Sequence, residues 1–171
     1  MSITQRDSPL NLVTRVAIVT GASSPLGVVV CKTLLKANAL VLGTDIKNKD
    51  PSLNSGYGTH FQFHQCDLTS HGAPAAILAH CRERFGLERV DILLNIAGIG
   101  DGWHAIDTVG NEVWDRVMAL NLTAPARLIG ECVRVMKEQN GGCIVNVVGQ
   151  AGPSGVAGGV AVTASRHGLV S

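Results

Sequence analysis

The apolar residues of this chain switch repeatedly between two periods. Residues 16–20 are a short, continuous, β-branched run that predicts a first strand. Leu26, Val30 and Leu34 then recur at helical spacing, and Asn38 sits where that helix should stop, since Asn tolerates the left-handed cap conformation. Residues 40–44 predict a second strand. Residues 47–58 are rich in Asn, Ser, Pro and Gly and predict a loop with at most one helical turn. Residues 60–66 alternate around Phe61 and Phe63, giving a third strand, and 76–85 read as helix. Residues 90–95 form a fourth strand, apolar after Asp91. Residues 111–138 predict one long or kinked helix, and 143–148 a fifth strand.

Strands that are apolar on both faces and separated by helices imply a parallel sheet covered on each side. Right-handed crossovers then give an α/β, Rossmann-like, doubly wound fold with about five strands present. The expected organisation is an N-terminal extension over residues 1–14 and one domain over 15–171. Ligands of such folds bind beyond the carboxyl ends of the strands, so the residues that follow each strand carry the chemistry.

Composition narrows the function classes. Hydrophobic residues make up 46% and charged residues 16%, which excludes a disordered chain. The formal net charge is +1 with both signs interspersed, so neither a nucleic acid nor a membrane surface is the expected partner. Residues 1–14 contain no apolar leader-like stretch and no run reaches membrane-spanning length, which makes the cytoplasm the expected location. The five cysteines, Cys31, Cys66, Cys81, Cys132 and Cys143, form no C-x-x-C pair and are expected to be buried, reduced thiols.

Directly after the first strand comes Thr20-Gly21-Ala22-Ser23-Ser24-Pro25-Leu26-Gly27. A glycine turn leading into a helix offers backbone N–H groups and the positive helix end to a pyrophosphate. Asp45 follows the second strand, 24 residues after Gly21. A carboxylate there accepts hydrogen bonds from ribose hydroxyls and repels a 2′-phosphate. No Arg or Lys lies between Gly21 and Gly27 to offset that repulsion, so NAD is expected over NADP. Pro25 suits a first helical position but removes one N–H donor, which predicts weakened cofactor binding.

These residues carry a resemblance. The segment 20–27 resembles the T-G-x-x-x-G-x-G turn of the short-chain dehydrogenase/reductase family. Cys66-Asp67-Leu68-Thr69 is similar to the family's adenine-contacting segment, and Asn95-Ile96-Ala97-Gly98 to its N-N-A-G motif. Asn121 matches its helix asparagine, Gly142 to Val147 its fifth strand, and Thr163 to Leu169 its Y-x-A-S-K-H-G region. The match is collinear from about residue 12 to the end. Asn121-Leu122-Thr123 also fits a glycosylation sequon, which a cytosolic helix would not use. The resemblance implies a cofactor site made by Gly21, Ser23, Leu26, Gly27, Asp45, Asp67, Leu68, Asn95, Ala97, Gly98 and Arg166, with no metal.

The resemblance also implies hydride transfer between nicotinamide and a carbinol or carbonyl carbon. Its tyrosine acid/base, its lysine, its serine and its helix asparagine share the proton work. Carried over residue by residue, the tyrosine position is Val162, the lysine position Arg166 and the serine position Gly149, leaving Asn121 alone intact. Valine has no exchangeable proton, and Arg166 carries a fixed cation of different geometry. The chain's one tyrosine, Tyr57, belongs to the loop after the second strand, near the adenine end. Thr163, Ser154 and Ser165 are close in sequence but are too weakly acidic without an activator. His167 would point about 140° from Val162 on a helix, leaving His104 as the one conceivable substitute acid/base.

The sequence ends at Ser171, early in the helix after the fifth strand, where the family continues with two further strands and the wall of the substrate pocket. The expectation is a truncated member with incomplete oligomer contacts and an uncovered sheet edge. Ile99, Trp103, Ala105 and Ile106 suggest an apolar pocket, so a terpenoid, polyketide or steroid-like ketone is expected over a sugar, as in secondary-metabolite tailoring. Three readings remain open: an inactive or weakly active family member, a working NAD-dependent dehydrogenase using His104, and a non-catalytic nucleotide- or partner-binding protein.

Overall fold

A computed structural model of the chain describes residues 11–53, 56–86, 88–149 and 158–171. Five strands form one parallel sheet: β1 (Val16–Thr20), β2 (Leu40–Asp45), β3 (Phe61–Gln65), β4 (Ile92–Asn95) and β5 (Cys143–Asn146). Their order is β3-β2-β1-β4-β5. The order reverses between β1 and β4, and the crevice at that switch point is where doubly wound sheets bind ligands. Val19 and Thr20 pair with Leu94 and Asn95, which brings the chain after β1 against the chain after β4.

The helices are α1 (Pro25–Lys36), α2 (Ala73–Phe85), α3 (Asn111–Met118), α4 (Ala124–Glu138) and α5 (Val160–Val170). Two apolar layers form. Ile18, Leu42 and Leu93 face Ile77, Cys81, Leu128 and Cys132 of α2 and α4. Ala17, Val19 and Val41 face Cys31 and Leu35 of α1 on the other side. Both faces of β1 and β2 are covered, which is why those strands read as continuous apolar runs.

Several expectations shift. The face that α1 buries is Gly27, Cys31 and Leu35, one position later than the expected stripe, while Leu26 is exposed. The apolar positions of α1 run three deep at 28–30, so spacing alone does not choose the face. Asn38 does take positive φ, at 68°, just past the helix. The segment 47–58 holds one 3-10 turn, Pro51–Leu53, and a second, Gly58–His60, begins at its end. Helix α2 starts at Ala73, earlier than expected, because Pro74 fits its first turn. Cys31, Cys81 and Cys132 are buried and Cys66 is partly so, but Cys143 is exposed on β5. Leu12 already joins the fold, donating its N–H to the Ala37 carbonyl at 2.7 Å.

The kink in the long helix is a π-helical turn, Ala119–Thr123, between α3 and α4. One extra residue in that turn points Asn121 inward, where it is fully buried. At the opposite, amino edge of the sheet, Asp91 accepts bonds from Arg15, Arg89 and the Val16 N–H. Burial pushes its carboxyl up, and those donors together outweigh burial and hold it below the usual range.

Candidate dinucleotide site

The turn after β1 is shaped by contact with the turn after β4. Gly21 has φ 68°, and a β-carbon there would lie 2.9 Å from the Ala97 backbone. A β-carbon on Gly27 would collide with the Gly21 carbonyl, so helix and turn approach each other only with hydrogen there. Thr20 Oγ1 accepts the N–H groups of Ile96 and Ala97 at 3.1 and 3.2 Å, tying the two loops together. Ser24 caps α1. Its Oγ accepts the Gly27 N–H at 3.0 Å and donates to the Gly21 carbonyl at 2.7 Å. Pro25 begins the helix and has no N–H. The anion-binding capacity of this helix end therefore rests on the first-turn N–H of Leu26 and on the macrodipole.

Asp45 ends β2 and is 9% exposed. Its Oδ2 accepts the Ser23 N–H at 3.0 Å and its Oδ1 accepts the Lys47 N–H at 3.0 Å. Each oxygen keeps a lone pair for a further donor such as a ribose hydroxyl. A cleft of about 420 Å³ opens beside it. Gly21, Asp45, Asp67, Leu68, Ala97 and Gly98 all line this cleft, as the motifs implied. Ser23 and Leu26 do not line it: the Ser23 hydroxyl is turned to the Asn48 carbonyl at 2.8 Å. Asn95 lies deeper, donating Nδ2–H to Asn146 Oδ1 at 2.9 Å across β4 and β5. Lys47, Arg116 and Leu120 also line the cleft. Lys47 and Arg116 stand outside the motifs, and only the folded chain brings α3 over the strand ends.

At the far end of the cleft, Asn121 grips the loop after β4. Its Oδ1 accepts the Ile99 N–H and its Nδ2 donates to the Ile99 carbonyl, both at 2.9 Å. Helix α5 packs against this turn and carries Val162, Ser165 and Arg166. The Arg166 guanidinium lies over the Gly98 backbone and donates to the Val147 carbonyl at 2.9 Å. Its pKa is lowered by burial. Gly149 has φ 62°. Val162, half-buried in the first turn of α5, donates its N–H to Asp101 Oδ2 at 3.0 Å.

Among the described residues, Tyr57, His167, His104 and Ser165 each make contacts of their own. Tyr57 packs against the α1-side core. His167 Nδ1 lies 2.9 Å from the Thr163 carbonyl on the exposed face of α5. His104 is exposed, and its carbonyl accepts the Val160 N–H at 2.9 Å. Ser165 Oγ donates to the Val162 carbonyl at 3.0 Å. Ser154 lies outside the described residues. Trp103 and Ile106 are 71% and 73% exposed on the loop before α3, while Ile99 lines the cleft.

One residue that no motif marks is central here. Asp101 is 4% exposed. Its Oδ1 accepts the N–H groups of Trp103 and Gly159, both at 3.1 Å, and its Oδ2 accepts the Val162 N–H at 3.0 Å. An Asp-Gly pair in a loop reads as a turn, and nothing in sequence links position 101 to a helix start 58 residues on.

The family model described as short chain dehydrogenase matches residues 15–171. The chain is 43% identical over 160 residues to Short chain dehydrogenase ausX of Aspergillus calidoustus, covering 94% of this chain and 61% of that protein. It is 42% identical to Short chain dehydrogenase ple7 of Rhodocybe pseudopiperita, covering 91% and 60%. A solved short-chain dehydrogenase from Streptomyces avermitilis superposes with a TM-score of 0.83 at 27% identity, covering 91% of this chain and 58% of that one. The chain thus spans about three fifths of the length of these relatives.

Proposed function

The chain belongs to the short-chain dehydrogenase family, an oxidoreductase lineage that typically uses nicotinamide dinucleotides, and from that premise we propose that it binds NAD(H) without catalysing efficient hydride transfer. The carrying observation is the contrast between the two ends of the cleft. The adenosine end keeps the turn at Gly21, the carboxylate of Asp45 and the wall of Asp67 and Leu68. At the positions that the family resemblance assigns to proton transfer, the chain carries Gly149, Val162 and Arg166.

In this reading, Asp45 takes the adenosine ribose hydroxyls and the start of α1 takes the pyrophosphate. Asp67 and Leu68 flank the adenine, and Ala97, Gly98 and Arg166 hold the nicotinamide ribose. Held by these residues, a nicotinamide group would supply the hydride chemistry. The protein's remaining duty is to give or take a proton at the substrate oxygen, which contributes about 10²- to 10⁴-fold. Val162 cannot do so. Arg166 keeps its proton throughout the neutral range and orients without transferring. Asn121 retains its grip on Ile99 and so preserves shape without chemistry. The exposed apolar groups Trp103 and Ile106, with Ile99 inside the cleft, favour an apolar ketone or secondary alcohol, in a tailoring step of secondary metabolism, as the ligand class of the lineage.

The test is a turnover assay with NAD and secondary alcohols on the native chain and on Gly149→Ser/Val162→Tyr/Arg166→Lys. The native chain should show no saturable turnover at ordinary enzyme rates of about 1–10³ s⁻¹. Turnover in that range by the native chain refutes the proposal, and His104→Ala would then locate the acid/base. The serine in the triple change meets positive φ at 149, so any gain should appear first in Val162→Tyr/Arg166→Lys.

A further inference from the structure

We propose that the Asp101 carboxylate is a positioning residue that seats the start of α5, and with it Val162 and Arg166, against the nicotinamide end of the cleft. The inference rests on the dinucleotide-binding reading for its ligand, but its geometry stands apart from that reading. A helix start leaves its first N–H groups without intrahelical acceptors. Normally the residue just before the helix supplies one. Here that residue is Gly159, which has no side chain to do so. Asp101, from the loop after β4, takes the role instead and receives the N–H groups of both Gly159 and Val162. The negative carboxylate also lies at the positive end of the α5 dipole.

The arrangement has no slack. A β-carbon on Gly159 would overlap both carboxylate oxygens. The Val160 N–H reaches the His104 carbonyl at 2.9 Å, so the loop holds the helix start at a second point. The same Oδ1 that receives Gly159 also receives the Trp103 N–H, and Trp103 sits at φ 63°, a conformation a bulky residue rarely adopts unaided. One side chain thus fixes three things: the start of α5, the backbone at Trp103, and the depth at which Arg166 meets Gly98. Burial raises the Asp101 pKa, and the N–H donors of Val162, Trp103 and neighbouring residues outweigh that and hold it low, so the carboxylate stays charged at neutral pH.

Loss of this anchor should act on one half of the cleft only. Asp45 and Asp67 sit on elements that Asp101 does not touch. Asp101→Ala should weaken NADH binding by about tenfold, within the cost of a lost helix cap, while AMP binding stays within about twofold of the native chain. Amide hydrogen exchange at Gly159 and Val162 should speed up at least tenfold. Asp101→Asn keeps one acceptor for Gly159 but turns an NH₂ toward the Val162 N–H, and should fall between. If Asp101→Ala fails to fold, Gly159→Ala makes the same measurement by pushing α5 away from an intact carboxylate. Equal loss of NADH and AMP, or no change in either ligand and no change in exchange, would overturn the assignment. If the native chain binds neither ligand, the dinucleotide reading fails by itself. The exchange at Gly159 and Val162 then decides the anchor, and unchanged exchange in Asp101→Ala rejects it.

Discussion

Two aspartates with the same formal charge do different work in this chain. Asp45 faces a cleft and holds unused lone pairs toward it, whereas Asp91 spends its oxygens on Arg15, Arg89 and Val16. Asp91 and Asp101 are both held below the usual carboxylate range. A depressed carboxylate contributes stability above its unfolded pKa of about 3.9, and that contribution disappears as pH falls through the lower folded value. The carboxylate contribution to the denaturant midpoint should therefore be steady from pH 7 to 5 and drop below about pH 4. Asp91→Asn should shallow that drop. An unchanged acid slope in Asp91→Asn would show that the ion cluster is not what acid disrupts. At the Gly21–Gly27 turn the constraint is steric. Gly27→Ala forces a β-carbon into the Gly21 carbonyl and should cost about 1–3 kcal/mol, as overpacking does, read as a lower Tm with weakened dinucleotide binding. Wild-type Tm and binding would mean the turn relaxes freely.

The elements were legible in sequence to the extent that their side chains report one environment. β1 and β2 are covered on both faces, so their unbroken apolar runs and the Gly turn between β1 and α1 gave both strand and direction. Spacing failed in α1, where seven hydrophobic residues among twelve leave the buried face undetermined. Asn121 could be read from its motif, but not its two bonds to Ile99 or the π turn that aims it, because those depend on the loop after β4. Asn121→Ala should leave the Ile99 N–H and carbonyl without partners. A cost of about 1–3 kcal/mol per unsatisfied buried group is expected, with a local rather than global loss of amide protection around residue 99. Unchanged protection at Ile99 would contradict this. Asp101 was invisible to sequence for the same reason, since its two partners at the start of α5 lie 58 and 61 residues away. The cysteines divide by element. Burial raises Cys31 on α1, Cys81 on α2 and Cys132 on α4 to about 12, while Cys143 is exposed on β5. A thiol reagent at pH 8 should label Cys143 first and the three helix cysteines only on unfolding. Rapid labelling of Cys31, Cys81 or Cys132 in the folded chain would show that these helix faces open.

At the scale of the whole molecule, the sheet opens a cleft at its switch point, and α5 brings Val162 and Arg166 against the loop after β4. Among the described residues no helix is long and apolar enough to cross a membrane. Cofactor choice depends on charges from separate parts of this cleft. In the proposed NAD-binding reading Asp45 would repel a 2′-phosphate, and Lys47 and Arg116 line the same cleft as cations. The carboxylate should prevail because it is buried and fixed by two N–H donors, whereas Lys47 and Arg116 are exposed and screened by solvent. Calorimetric titration of the native chain with NADH and with NADPH, repeated on Asp45→Ala, tests this most directly. The account predicts saturable NADH binding, about tenfold or more tighter than NADPH, and a gap that narrows in Asp45→Ala. No binding of either dinucleotide, or NADPH binding as tightly as NADH to the native chain, would contradict it.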